Sequence, residues 1–146
     1  MPSAIGEGRV RTLATGDLPP GEGPVLYWMW RDQRAQDNWA LLHAQARALA
    51  AARPLGVVFC LPPDYLDDAR RHGAFLLAGL RETAADLAAQ NVPFVLLAGD
   101  PAREVSDLAA RCGAGLLVAD FDPLREPTAW AAGVARGAGE AVEQVD

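Results

Sequence analysis

The chain has 146 residues, 51% of them hydrophobic and 22% charged, with a formal net charge of −6. Such a length fits one domain that can bury a core without disulfide or metal staples. No apolar run reaches the ~18 residues of a membrane span, no signal-type segment opens the chain, so a cytoplasmic protein is expected, and the acidic balance argues against a DNA-binding module standing alone.

Residues 1–24 are rich in Gly and Pro and end in Leu18-Pro-Pro-Gly-Glu-Gly-Pro24. They read as a flexible lead-in, with Arg9-Val-Arg11 as the stretch able to dock on the domain. The domain proper is expected over 25–146. Val25–Trp30 is a continuous apolar run, the pattern of a strand buried on both faces. Asp37 and Asn38 are two candidate caps for the next helix, along which Trp39, Leu42, Ala46 and Leu49 recur at helical spacing. Arg53-Pro54 stops that helix. Leu55–Leu61 is a second buried run, ended by Pro62-Pro63. Residues 67–90 read as helical, with a break near His72-Gly73 as an option and with Leu76, Leu77, Leu80, Ala84 and Leu87 as the stripe. Pro93–Leu97 is the third run. Asp100-Pro101 offers an N-cap and a first-turn proline to a helix that buries Val105, Leu108, Ala109 and Cys112. Gly115–Ala119 is the fourth strand, 127–136 a helix and 141–145 a short last strand. The pattern predicts an α/β domain: a five-stranded, parallel, doubly wound (Rossmann-like) sheet of order 3-2-1-4-5 with helices on both faces.

Ligands in such sheets sit beyond the carboxyl ends of the strands, where the winding reverses. Two loops meet there, Trp30–Arg34 after the first strand and Asp120–Arg125 after the fourth. Trp30 and Arg31 are candidate contacts for a planar ligand, because indole offers an apolar face and arginine stacks and pairs with anions. Phe121 is a candidate for stacking and Arg125 for an anion. A structural reading stands beside this one: Asp32 with Arg31 or Arg34 forms an ion-pair network that fixes the corner, and Asp122-Pro123 forms a turn. Leu97–Pro101 reads as an ordinary helix cap, and Asp67-Asp68 with His72 as a solvated helix start. No GxGxxG or GxxxxGK[ST] occurs. Ser3 and Ser106 lie outside any GxSxG, so a serine nucleophile is not expected. Cys60 and Cys112 read as buried free thiols, and with His43 and His72 they make no metal-ligand spacing. No catalytic residue and no metal site is assigned.

Tyr27-Trp-Met with Arg31-Asp-Gln-Arg34 and Asp37-Asn-Trp-Ala-Leu41 resembles the first strand and helix of class II cyclobutane pyrimidine dimer photolyases, within the photolyase–cryptochrome superfamily. Val58-Phe-Cys60, Pro93-Phe94, Gly99-Asp-Pro101, Asp120–Arg125 and Val142–Asp146 resemble the same domain, so the likeness covers roughly residues 9–146. Trp30 departs from the pattern, since a smaller polar residue is usual there. The resemblance implies the N-terminal α/β domain of an enzyme that repairs pyrimidine dimers in DNA with light and reduced FAD. Its C-terminal helical domain, which holds FAD and meets the damaged DNA, is absent from this chain. The domain would be a scaffold and a candidate antenna site for a deazaflavin or folate, inert alone. Without its partner domain, weak self-association through Trp30, Phe121 and Leu124 is expected. The alternatives are a free-standing α/β nucleotide-binding module and a cryptochrome-like photoreceptor domain.

Overall fold

The computed structural model describes residues 5–19, 21–63, 65 and 70–146. A 3-10 turn at Glu7–Arg9 leads into β1 (Val10–Ala14). Then come β2 (Val25–Trp28), α1 (Trp39–Ala50), β3 (Leu55–Leu61), α2 (Arg70–Ala88), β4 (Phe94–Ala98), α3 (Pro101–Cys112), β5 (Leu116–Asp120), α4 (Arg125–Gly137) and β6 (Ala141–Val145). The sheet runs β1-β6-β5-β2-β3-β4. Strands β2 to β6 are mutually parallel, and β1 lies antiparallel along β6, with Val10 opposite Val145.

The expected five-stranded, all-parallel sheet is therefore corrected to six strands of mixed direction. The extra strand comes from the segment read as flexible lead-in. Val10–Ala14 covers what would otherwise be the open edge of β6, and it carries too little regular alternation to announce itself, with only half-buried side chains at Val10, Leu13 and Ala14. The connection from β1 to β2 is also held down. The Arg53 guanidinium donates to the Pro19 and Gly23 carbonyls at 2.8 Å each. Gly23 passes so close to the turn after α3 that a Cβ there would lie 1.7 Å from the Gly113 carbonyl oxygen.

Alternation along the strands splits the core in two, since successive side chains point to opposite faces. Val25, Tyr27, Met29, Val57, Phe59, Leu116 and Val118 pack under α1 and α2. Leu26, Trp28, Val58, Cys60, Leu117, Ala119 and Val142 pack under α3 and α4. Both cysteines are free thiols, with Cys60 buried and Cys112 half-buried. Burial pushes the Cys60 thiol up to about 11.

Local sequence sets the helix ends. Asn38 caps α1 by accepting from the Leu41 N–H at 2.9 Å, while Asp37 takes a left-handed turn with φ 48°. Asp100 caps α3 ahead of Pro101, and Gly113 closes it at φ 64°. Helix α2 runs unbroken through His72-Gly73. Asp67 and Asp68 lie outside the described residues.

The orientation of α1 differs from that implied by its apolar spacing. The face toward the sheet is Ala40, Leu41, His43, Ala44 and Ala48. Trp39, Leu42 and Leu49 point outward, at 44%, 44% and 75% exposure. A tie between α1 and β6 accounts for part of this turn. The His43 Nε2–H donates to Glu143 at 2.6 Å, and Arg47 pairs with the same carboxylate at 3.2 Å. Burial pushes the Glu143 carboxyl up, but the His43 hydrogen bond and the charges of Arg47 and His43 outweigh it, leaving the group below its ordinary value.

Candidate functional site

The winding reverses between β2 and β5, whose carboxyl ends deliver Trp30 and Asp120 to one place. Asp120 organises the corner. Its carboxylate accepts from the Tyr27 hydroxyl at 2.8 and 2.9 Å, from the Trp30 and Arg31 N–H groups at 2.8 and 2.9 Å, and from the Asp32 N–H at 3.2 Å. Asn38 completes the knot by donating to the Tyr27 hydroxyl at 3.0 Å and to the Asp32 and Arg34 carbonyls. Burial raises the Asp120 carboxyl above its ordinary value, while the Trp30 N–H and the Tyr27 hydroxyl pull it back. Burial, then the charge of Asp120, pushes the Tyr27 phenol well up.

The ion-pair corner expected around Asp32 is not what forms. Among the described residues the Asp32 carboxylate pairs with neither arginine. Arg31 instead reaches across to the Asp146 carboxylate at 3.2 Å and the Phe121 carbonyl at 3.1 Å. Arg34 folds back on the Asp37 carbonyl. A buried carboxylate on the neighbouring strand satisfies three consecutive backbone donors at once, one of them the N–H of Asp32 itself. From the sequence Asp120 is only part of a loop, because the three N–H groups it caps lie about ninety positions away.

Above this corner opens a cleft of about 800 Å³, a volume usual for small-molecule sites. Its walls include Trp30, Tyr65, Trp130, Pro62, Pro127 and Leu124, with Arg31, Arg125, Asp122 and Glu126 at the rim. Trp30 is the centre of an aromatic cluster. Its ring stacks on Phe59 at 5.6 Å and 22°, and it meets Trp130 and Tyr65 edge-on at 4.9 and 5.7 Å. Its indole N–H donates to Asp122 at 3.1 Å. Asp122 also accepts from the Leu124 N–H at 2.9 Å, so the expected Asp122-Pro123 turn is present. Of the four predicted contacts, Trp30, Arg31 and Arg125 come together in the cleft. Phe121 does not: it turns to a separate shallow depression shared with Arg9, Arg11 and Gln144. Tyr65 and Trp130 were not predicted. Trp130 sat in a helix without a distinguishing spacing, and Tyr65 followed the prolines that end β3.

The cleft has the means to hold a planar ring with an anionic group. Tyr65, Trp130 and the prolines supply apolar faces. The Arg125 guanidinium has no ion-pair partner among the described residues, and half of Arg31 is exposed. A void of about 10 Å³ is lined by Trp28, Trp30, Asp120, Pro127 and Trp130, and the indole N–H of Trp28 is buried without an acceptor. Among the described residues no group of His, Cys, Asp and Glu is placed to hold a metal ion, and no helix is long and apolar enough to cross a membrane.

Fold and cleft together define a doubly wound α/β domain with a ligand-type cleft at its switch point. The model of the DNA photolyase family matches residues 25–146. The chain belongs to that family, within the photolyase–cryptochrome superfamily. It is 56% identical over 119 residues to a deoxyribodipyrimidine photo-lyase of Oryza sativa subsp. japonica, covering 80% of this chain and 23% of that protein. It is 43% identical over 126 residues to the Arabidopsis thaliana protein of the same name, covering 84% and 25%. The chain thus spans about a quarter of the length of these relatives. Among solved structures, a cryptochrome of Synechocystis sp. PCC6803 superposes with a TM-score of 0.65 at 19% identity, over 84% of this chain and 26% of that one; this likeness shows the fold alone.

Proposed function

We propose that this chain is the N-terminal α/β domain of a deoxyribodipyrimidine photolyase of the class II type, acting as scaffold and antenna site and inert in repair by itself. The observation that carries the reading is the 56% identity to the rice photolyase over 80% of the chain. In the whole protein, FAD bound in a C-terminal helical domain would supply the electron that splits a pyrimidine dimer in DNA, with the dimer turned out of the stack to reach it. No residue of this chain is assigned a part in that step.

What the domain's own residues offer is the cleft. A planar antenna chromophore, a deazaflavin or a folate, would lie against Trp30, Tyr65 and Trp130, with Arg125 and Arg31 facing its anionic portion. The Asp120 knot would keep the Trp30 wall in register with Trp130.

Two experiments test this. Light-dependent dimer repair is measured with the full-length protein and with this chain plus FAD: repair by the first and none by the second is expected, and repair by the isolated chain overturns the reading. Titration of deazaflavin or folate into the full-length protein should give a saturable absorbance change that Trp30→Ala and Arg125→Ala alter. A flat titration overturns the antenna assignment and leaves the scaffold.

A further inference from the structure

The sheet has two edge strands, and they differ in kind. Strand β1 is guarded. Its Arg11 is exposed, and its register against β6 slips between Thr12 and Ala14. Charges and bulges of this sort keep an edge from pairing with other chains. Strand β4 has neither. Its five residues, Phe94-Val-Leu-Leu-Ala98, carry no charge and pair with β3 in unbroken register. Successive side chains point to opposite faces of a sheet, and Val95 and Leu96 are 38% and 45% exposed, so the strand is bare on both sides. The backbone is bare as well. The Val57 N–H donates to the Pro93 carbonyl and the Gly99 N–H to the Leu61 carbonyl, at 2.9 Å each. Residues of a ladder alternate between those that face the neighbouring strand and those that face away. Pro93, Val95, Leu97 and Gly99 therefore face β3, and Phe94, Leu96 and Ala98 turn their N–H and C=O groups to the open edge. Among the described residues none of these outward groups has a partner.

We infer that the open edge of β4 is a homodimer seam, pairing antiparallel with β4 of a second copy about a two-fold axis through Leu96. The strand is complementary to itself, and that selects the occupant. With Leu96 opposite its own copy, Phe94 falls opposite Ala98 of the second copy, and every outward N–H meets an outward C=O. The register also brings no like charges together. The nearest charge along the strand is Asp100, and the two copies of it would lie at opposite ends of the seam, ~27 Å apart at ~3.4 Å per residue. That exceeds the ~8 Å over which charge acts in physiological salt. A head-to-tail union of β4 with β1 would build an open filament, and Arg11 and the register slip of β1 oppose it. The two-fold union instead closes, leaving a guarded β1 at each end of the joined sheet. A seam five residues long falls short of the ~800 Å² per partner of a stable interface, so the dimer is reversible and forms as concentration rises.

Sedimentation velocity on the full-length protein tests the seam. The weight-average mass should climb from one copy toward two with rising concentration. Leu96→Arg sets two guanidinium groups face to face at the axis and should weaken dimerisation by about tenfold or more, with an unchanged circular dichroism spectrum. Val95→Lys charges the other face of the same edge and should also weaken it, which covers the case of a Leu96→Arg protein that does not fold. Leu124→Arg, in the wall of the Trp30 cleft, should leave the dimer intact. Cross-linking gives a positive readout. Opposed residues that exchange both hydrogen bonds have Cα atoms ~5.5 Å apart, inside the ~4.4–6.8 Å of a disulfide. Mild oxidation of Leu96→Cys should therefore yield a covalent dimer. The exposed Leu49→Cys controls for random collision, and the parent protein gives the blank for Cys60 and Cys112. A mass of one copy at every concentration overturns the inference. So does a dimer that Leu96→Arg and Val95→Lys leave intact, or one that Leu124→Arg abolishes. So does Leu96→Cys cross-linking no faster than Leu49→Cys.

Discussion

Replacing Asp120 with alanine tests whether a single buried carboxylate builds the corner at the end of β2. Four donors lose their acceptor: the Tyr27 hydroxyl and the Trp30, Arg31 and Asp32 N–H groups. The Arg31 and Asp32 bonds are part-buried but belong to the loop, where water replaces some of what the carboxylate gives. The Tyr27 hydroxyl is fully buried and the Trp30 N–H half so. Hydrogen bonds to a charged acceptor are each worth ~1.5–3 kcal/mol, so two of them set a gross loss of about 3–6 kcal/mol. Removing a carboxylate that burial disfavours returns part of this, and the net cost should be about 3 kcal/mol. Against a total stability of ~5–15 kcal/mol that is a large fraction, and it lowers Tm by roughly 6–12 °C in a domain of this size. Urea and thermal unfolding, followed by tryptophan fluorescence and circular dichroism, give the numbers. Asp32→Ala is the decisive comparison, because its side chain makes no contact that holds the corner and should cost under about 0.5 kcal/mol. Tyr27→Phe, which removes one donor, should fall between, near 1 kcal/mol. If Asp32→Ala proves as costly as Asp120→Ala, or if Asp120→Ala costs less than about 1 kcal/mol, the corner is held by something else and the argument fails.

Trp30→Ala removes a half-buried ring from contact with Phe59, Trp130 and Tyr65, and equilibrium unfolding should show a loss of about 2 kcal/mol, below the 3–5 of a fully buried aromatic. Glu143→Gln should change the acid limb of the stability curve. The folded-state carboxyl sits below its ordinary 4.5, so its contribution is present above that pH and lost as pH falls through the lowered value; urea midpoints measured between about pH 6 and pH 3 should show wild type and variant converging toward acid. Gly23→Ala forces a Cβ onto the Gly113 carbonyl, and a destabilisation of ~1–3 kcal/mol is expected by denaturant titration. An unchanged midpoint would mean that the β1–β2 connection is not pressed against the turn after α3.

Much of this molecule was legible in one dimension. Apolar runs bounded by Pro and Gly mark β2, β3 and β5, because a strand covered on both faces has no polar alternative; β4 is equally apolar although it is an edge strand with Val95 and Leu96 exposed. Asn38 and the Asp100-Pro101 pair mark helix starts, because capping is decided by residues within one turn. The same local motifs carried the family resemblance, and they placed Trp30, Arg31 and Arg125 at a common end of the sheet. What remained hidden depended on residues far apart in the chain. Val10–Ala14 is a strand only because β6, some 130 positions later, presents an open edge to it. Asp120 and Asp32 looked equivalent as acids in loops until β5 settled beside β2 and buried one of them under three N–H groups. Phe121 left the cleft because the chain turns at Asp120, and alternation then points it away. On α1 the spacing of Trp39, Leu42, Ala46 and Leu49 was read correctly as helical, yet spacing alone cannot say which side meets the sheet. The hydrogen bond of His43 to Glu143 and the small alanines against β2 and β5 decided that, and so turned an apparent core stripe into an exposed one.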